Sequence, residues 1–294
     1  MLKRASVLLV AACFLFAALG AAIKVASEAL PSEEIVFFRN AFGLLALMPL
    51  VLRNGFGSLK TKYILQHLYR GVFGLAAMYC SFYAIGRMRL ADALLLSYTS
   101  PLFMPFFAHF SLGEKIPSGL AWFLSLGFLG VLLILKPGLG LFQPVACLAL
   151  ASGVLAAMAL VGIRRLTLTE PTVRIVFYFS LFSTLISAAP LAGRWVSPSA
   201  PLWLFLAGMG ACASVGQLCL TRAYGLAPAS QIGPFIYATV VFAGLWDWFL
   251  WGQLPDGLGV LGAACVVAAG VLIIYKIGDA PRSTESVSSR AGTA

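Results

Sequence analysis

The sequence predicts an all-α integral membrane protein: ten transmembrane helices arranged as two five-helix repeats of inverted topology. Three observations carry this. The 294-residue chain is 61% hydrophobic and 10% charged. Ordinary globular chains are about a quarter charged, and no soluble core of this size hides so much apolar surface. The apolar residues fall into ten runs, each near the roughly 20 residues a helix needs to cross a bilayer. The chain also matches itself. At an offset of 139, Ala84, Gly86, Tyr98, Gly113, Leu133 and Ile134 fall on Ala223, Gly225, Tyr237, Gly252, Leu272 and Ile273. At 140, Pro31 and Ile35 to Phe38 fall on Pro171 and Ile175 to Tyr178, and Lys24 falls on Arg164. Repeats of this kind let two halves of a transporter rock around a site at their interface. Five spans per half is an odd number, so the second half inserts upside down relative to the first.

The first span, 5–24, follows Lys3 and Arg4. Its small-residue end resembles a secretory signal. Its length, its counterpart in the second half and the symmetry of ten spans favour a retained helix. Span two, 33–52, opens after Pro31-Ser32 and closes at Asn54-Gly55. Spans three and four, 67–86 and 92–111, lead to Gly113-Glu114. Span five, 117–136, stops at Pro137-Gly138, which closes a first repeat over residues 1–141. The second repeat, 142–278, holds spans at 144–163, 174–191, 201–222, 229–250 and 256–276. Glu170-Pro171, Ser197-Pro198, Ala227-Pro228 and Pro255-Asp256-Gly257 separate them as turn formers. Residues 279–294 are small and polar, without apolar periodicity, and read as a disordered cytoplasmic tail.

Placing the N-terminus inside puts fourteen Lys and Arg on the inner side and six on the outer. The positive-inside rule then sets both termini in the cytoplasm of a multi-pass inner-membrane protein. The net charge of +10 comes from basic residues scattered at span ends. That is a topology pattern and not a face that tracks nucleic acid. The six cysteines lie inside apolar runs without C-x-x-C spacing and read as small hydrophobes. No metal, cofactor or nucleotide site is legible. H-E-x-x-H, G-x-S-x-G and Walker A patterns are all missing, which argues against an enzyme.

One stretch is more specific. LADALLLSYTSPLFMPFFAHFSLGEK (90–115) holds Ala91-Asp92-Ala93, Ser100-Pro101 and Gly113-Glu114. Phe37-Phe38-Arg39 opens span two, and GFLGVLLILKPG (127–138) closes the first half. In these features the chain resembles the drug/metabolite transporter superfamily, in particular its EamA-type ten-helix members, over nearly its whole length. The second half departs from the pattern: Val240 stands where span four has its proline, and Gln253 where it has Glu114. Equivalent site residues in the two halves therefore do not follow.

Several residues are candidates for binding. Tyr98 and Tyr237 match across the repeat near mid-membrane. Tyr79, Tyr83 and Gln217 lie within spans three and eight. Buried tyrosine hydroxyls need partners. These groups either line an otherwise apolar cavity for an organic solute or bond helices together. Arg39 sits about a turn and a half inside span two, where it either meets a substrate carboxylate or snorkels to the interface. The resemblance favours the first reading. Glu34, five residues back, is a possible partner for it. Pro101 either hinges a gate or fixes a static kink. Asp247, between Trp246 and Trp248, is a candidate proton-coupling acid, with an interfacial placement as the alternative. His67 and His109 read as interfacial.

The resemblance implies a secondary active transporter of small organic metabolites working by alternating access. Export of amino-acid-derived compounds, including opine-type metallophores, is marginally favoured. Import of S-adenosylmethionine-like or riboflavin-like solutes is the alternative. The expected partners are a small organic solute, the bilayer and protons as coupling ion, in a monomer or homodimer.

Overall fold

The computed structural model describes residues 1–85, 87, 95–136, 144–191, 195–252 and 256–276, the side chains of Ile85 and Asp247 excepted. The tail at 279–294, Asp92 and Gln253 lie outside the described residues. The chain is built from α-helices: α1 (Leu2–Ala26), α2 (Ser32–Asn54), α3 (Ile64–Ile85), α4 (Ser100–Leu112), α5 (Leu120–Leu135), α6 (Val145–Leu166), α7 (Thr172–Ala188), α8 (Ala200–Leu226), α9 (Ala238–Trp251) and α10 (Gly257–Lys276). Seven helical stretches among the described residues are long and apolar enough to cross a membrane, and α5 is a shorter apolar helix. The outward faces agree with lipid. Leu204, Phe249, Phe110 and Trp122 are each more than 70% exposed, apolar surface of a kind that soluble monomers do not display in quantity.

Helix ends follow local chemistry. Pro31 and Pro171 precede α2 and α7 in extended backbone, where a missing N–H costs nothing. Glu33 and Glu34 sit in the first turn of α2, complementing its dipole. Gly113 ends α4 in the left-handed region at φ 64°, which a glycine adopts without strain.

Two expected spans are broken. In span four, residues 95–97 are helical, Tyr98 and Thr99 form a turn, and α4 starts only at Ser100. Pro101 therefore stands in the first turn of α4, where its absent N–H is one of the helix's unpaired donors anyway. In span nine, a single turn at Ala229–Ile232 passes into a 3-10 stretch, Gly233–Tyr237, before α9. Pro234 within that stretch cannot donate a helical hydrogen bond.

Packing pairs are specific. α3 lies on α6, α1 on α8 and α9, α2 on α7 and α8, and α5 on α10. Two crossings depend on missing side chains. At α5–α10, a Cβ on Gly130 would stand 2.6 Å from the Gly262 carbonyl oxygen. At α2–α8, Ser214 Oγ donates to the Gly43 carbonyl at 2.6 Å, and a Cβ on Gly210 would stand 2.8 Å from Gly43 N. Small residues permit this backbone approach where lipid offers no hydrophobic drive.

Candidate solute-binding site

A cavity of about 300 Å³ lies among α1, α2, α3, α6, α7 and α8 and the broken segments of spans four and nine. Its size is at the small end of the range for organic-ligand sites. Its walls are apolar, with Phe16, Met78, Phe82, Leu160 and Leu220. Its polar groups are few and placed.

Arg39 reaches it from α2 and is 6% exposed. Its Nη1 donates to Oδ1 of Asn40 at 2.7 Å, and Asn40 Nδ2 donates to the Val36 carbonyl at 2.8 Å. Glu34, the expected partner, is engaged elsewhere: its Oε1 accepts the Val196 N–H at 2.5 Å. Arg70 enters from α3 and is 5% exposed. Its Nη2 donates to Oε1 of Gln217 on α8 at 3.3 Å, while Nε and Nη1 have no partner among the described residues. Its guanidinium lies over Phe179 of α7, 3.9 Å from the ring centroid; that of Arg39 is 5.9 Å from the same ring. The fold-back of Arg70 depends on Gly74 one turn on, where any Cβ would collide with Nη1.

Three hydroxyls, from α3, span four and α6, form a chain. Ser81 Oγ is 3.3 Å from Ser97 Oγ, and Ser97 Oγ is 2.9 Å from Ser152 Oγ. Ser152 donates its proton to the Ala149 carbonyl at 2.6 Å. A hydroxyl has one proton, so Ser97 donates to Ser152 and Ser81 to Ser97. The open end of the chain is therefore the Ser81 oxygen, an acceptor. The break in span four sets Ser97 in place. Thr99 Oγ1 closes the turn onto the Leu96 carbonyl at 2.6 Å, and Gly153 on α6 leaves room for it, since a Cβ there would meet the Leu96 carbonyl oxygen at 2.9 Å.

Of the residues singled out from sequence, Arg39, Tyr98 and Gln217 line this cavity. Tyr79, Tyr83 and Tyr237 are not among the lining residues. Tyr83 is 43% exposed under the guanidinium of Arg87. Tyr79 carries a buried hydroxyl with no partner among the described residues. Tyr237 is fully buried against α5, 2.7 Å from where a Cβ on Gly127 would lie, and its hydroxyl also has no partner among the described residues. Pro101 stands just beyond the Tyr98–Thr99 turn, beside the lining residue Ser100. Asp247 belongs to α9, and its side chain lies outside the described residues.

Sequence reasoning passed over Arg70 by counting it only as a topology charge. The glycine four residues on was the available signal. His67, in the first turn of α3, is 1% exposed, with its ring centroid 4.7 Å from that of Tyr178 and Nε2 4.0 Å from Glu170. A second polar cluster joins the end of α4 to α6 and to the segment ahead of α9. Glu114 pairs with Arg164 Nε at 3.2 Å and accepts from the N–H groups of Ala229 and Ser230, both at 3.3 Å.

The pattern of the EamA-like transporter family matches residues 3–136 and again 143–275. The pseudopaline exporter CntI of Pseudomonas aeruginosa is 37% identical, over 93% of this chain and 96% of that protein. An S-adenosylmethionine uptake transporter of Rickettsia bellii is 26% identical over 84% of both chains. A riboflavin transporter of Brucella anthropi is 27% identical, over 90% of this chain and 96% of that protein. A solved crystal structure shares the fold with a TM-score of 0.80 at 21% identity, covering 94% of this chain and 97% of its own.

Proposed function

The chain belongs to the EamA-like transporter family, and we propose that it exports amino-acid-derived metabolites across the inner membrane by alternating access. Membership makes it a multi-pass membrane transporter and not an enzyme. The observation that carries the rest is the cavity: a buried arginine, Arg39, for a carboxylate, an acceptor oxygen on Ser81 for an amine, and apolar walls for the body between them. A relative that exports pseudopaline supports the outward direction. Relatives that take up S-adenosylmethionine or riboflavin define the alternative substrates.

The architecture we favour is ten spans in two inverted repeats, 1–141 and 142–278, with both termini cytoplasmic. Exchanging each span for its counterpart turns the α1–α8 pair into α6–α3 and leaves α2–α7 and α5–α10 as themselves, and all four pairs are packed. In that orientation the Glu114–Arg164 cluster closes the cytoplasmic end. We assign proton coupling to Asp247 and gating to the break ahead of Pro101. Tyr98 and Gln217 join Arg39 as binding residues. Tyr79, Tyr83 and Tyr237, which do not line this cavity, stand outside the binding set.

The test is flux in liposomes. An opine-type amino-acid derivative, S-adenosylmethionine and riboflavin, each labelled, are offered with and without a pH gradient. Saturable, gradient-driven movement of the first is expected, lost as net accumulation but retained as exchange in Asp247→Asn. No saturable flux of any of the three would overturn the reading.

A further inference from the structure

We infer that the cavity is a receptor for two carboxylates, with Arg70 as its second anion-binding group. This deepens the transport reading above and rests on it.

Both guanidiniums are at least nine-tenths buried and share one cavity and one aromatic ring. No described lining residue is acidic. Glu34, the carboxylate nearest in sequence to Arg39, spends Oε1 on a backbone N–H of another segment. Neither arginine has a salt-bridge partner within 4 Å among the described residues. Two buried cations without counter-charges are costly, and the cost is relieved only when negative charge enters beside them. A single carboxylate leaves one of the two uncompensated; a solute with two neutralises both.

The free donors are in place. Arg70 Nε and Nη1 are buried with no partner among the described residues, and guanidinium N–H groups suit carboxylate oxygens in charge and geometry. Its other contact, Gln217 Oε1, orients it without neutralising it. Phe179 offers its face to both cations, a weaker stabilisation that holds them while the site is empty. Further along α3, the Ser81 oxygen at the end of the hydroxyl chain offers an acceptor to an N–H of the solute. The matching solute is small, carries two carboxylates and has a protonated amine between or beside them.

The experiment uses the full chain in nanodiscs with three probes: N-(carboxymethyl)alanine, its mono-amide, and alanine. Binding is read from intrinsic tryptophan fluorescence, and flux of the same labelled compounds from liposomes. The dicarboxylate should bind at least tenfold more tightly than its mono-amide. Arg70→Gln and Arg39→Gln should each abolish that preference, and Arg70→Lys should retain part of it. Gly74→Ala, which keeps both arginines but displaces the Arg70 head, should behave like Arg70→Gln and decides the matter if the latter fails to fold. Equal affinity for dicarboxylate and mono-amide, or a preference that survives in both Arg70→Gln and Gly74→Ala, overturns the two-anion inference. Saturable flux of the mono-amide or alanine under those results would leave the transporter reading standing. Absence of binding and flux for all three probes would overturn the inference, and the outcome of the wider solute panel would then decide the transporter reading separately.

Discussion

Nε of Arg164 stands 3.2 Å from Oε1 of Glu114, fastening the connection after α4 to the last turn of α6. The same carboxylate accepts from the backbone of Ala229 and Ser230 and from the Ser230 hydroxyl at 3.2 Å. Arg164 Nη1 donates in turn to the Tyr224 carbonyl at 2.9 Å. One side chain thus ties together segments from both stretches that match the family pattern. Both partners are largely buried, so solvent screens the pair weakly.

Glu114→Gln keeps the shape of that cluster and removes its charge. Hydrogen bonds to a charged group contribute about 1.5–3 kcal/mol each. Losing the charge should therefore shift the sealed-to-open ratio at this end by roughly 10- to 100-fold. Met104 lies fully buried beneath the cluster, in contact with the Tyr224 hydroxyl at 3.4 Å. A cysteine there, in a background without the native six, should alkylate faster in the Glu114→Gln protein. An unchanged rate would mean the cluster does not hold this end closed.

The α2–α8 crossing supplies a sharper stability test, because the obstructing atoms are backbone. A Cβ at Gly210 would stand 2.5 Å from Phe42 Cβ and 2.8 Å from Gly43 N, while at Gly208 it would meet nothing within 4 Å. Overpacking of a well-fitted contact costs about 1–3 kcal/mol. Gly210→Ala should lower the thermal midpoint in detergent by several degrees, and Gly208→Ala should leave it unchanged. Equal midpoints for the two variants would show that the helices separate at this point without cost.

The fold was legible because lipid imposes a coarse rule: about 20 apolar residues per span, with turn formers between. α1, α2, α6, α7, α8 and α10 stand close to where that rule puts them. Spans four and nine obey the same hydropathy but break within their length, at Tyr98–Thr99 and at Gly233–Tyr237. Hydropathy records transfer cost, not whether each N–H finds a helical acceptor. For the site, Arg39, Tyr98 and Gln217 were legible as polar groups out of place in hydrocarbon. Arg70 was not, because a rule that counts positive charges treats every arginine near a span end alike. What distinguishes it is Gly74, a hole on the same helix face that lets the head fold into the cavity. Repeat symmetry pairs Tyr237 with Tyr98, yet of the two only Tyr98 lines this cavity. At the 140-residue offset the counterpart of Arg39 is Phe179, so the halves supply complementary groups to one cavity rather than copies.

Tyr98 and Tyr237 should therefore separate in experiment despite their equivalence in sequence. Cysteine at 98 should react with a small aqueous thiol reagent and be protected by bound solute. Cysteine at 237 should stay unreactive. Tyr237→Phe removes a buried hydroxyl that has no partner among the described residues and so should hold or slightly raise the thermal midpoint, by up to about 1 kcal/mol of stability. A clear loss of stability in Tyr237→Phe would reveal a hydrogen bond that this conformation does not contain.

The α5–α10 end offers a prediction in pH. Asp256 is exposed ahead of α10. Its Oδ2 accepts from Nζ of Lys136, and its Oδ1 accepts from the Gly259 N–H at 3.0 Å, as a helix cap does. The lysine first, and then the backbone N–H, hold its carboxyl below the usual carboxylate range. A carboxyl depressed in the folded state stabilises above its unfolded pKa of about 3.9, and the contribution is lost as pH falls through the lower folded value. The gap in thermal midpoint between the native chain and Asp256→Asn should thus be constant through neutral pH and close on acidification below about pH 4. Lys136 itself ends α5 at φ 44°, in the left-handed region. Lys136→Gly loses the ion pair but relieves that backbone, whereas Lys136→Ala loses the pair and keeps the strain. Lys136→Gly should accordingly melt above Lys136→Ala at every pH, and the reverse order would show that the left-handed turn is not what limits this end.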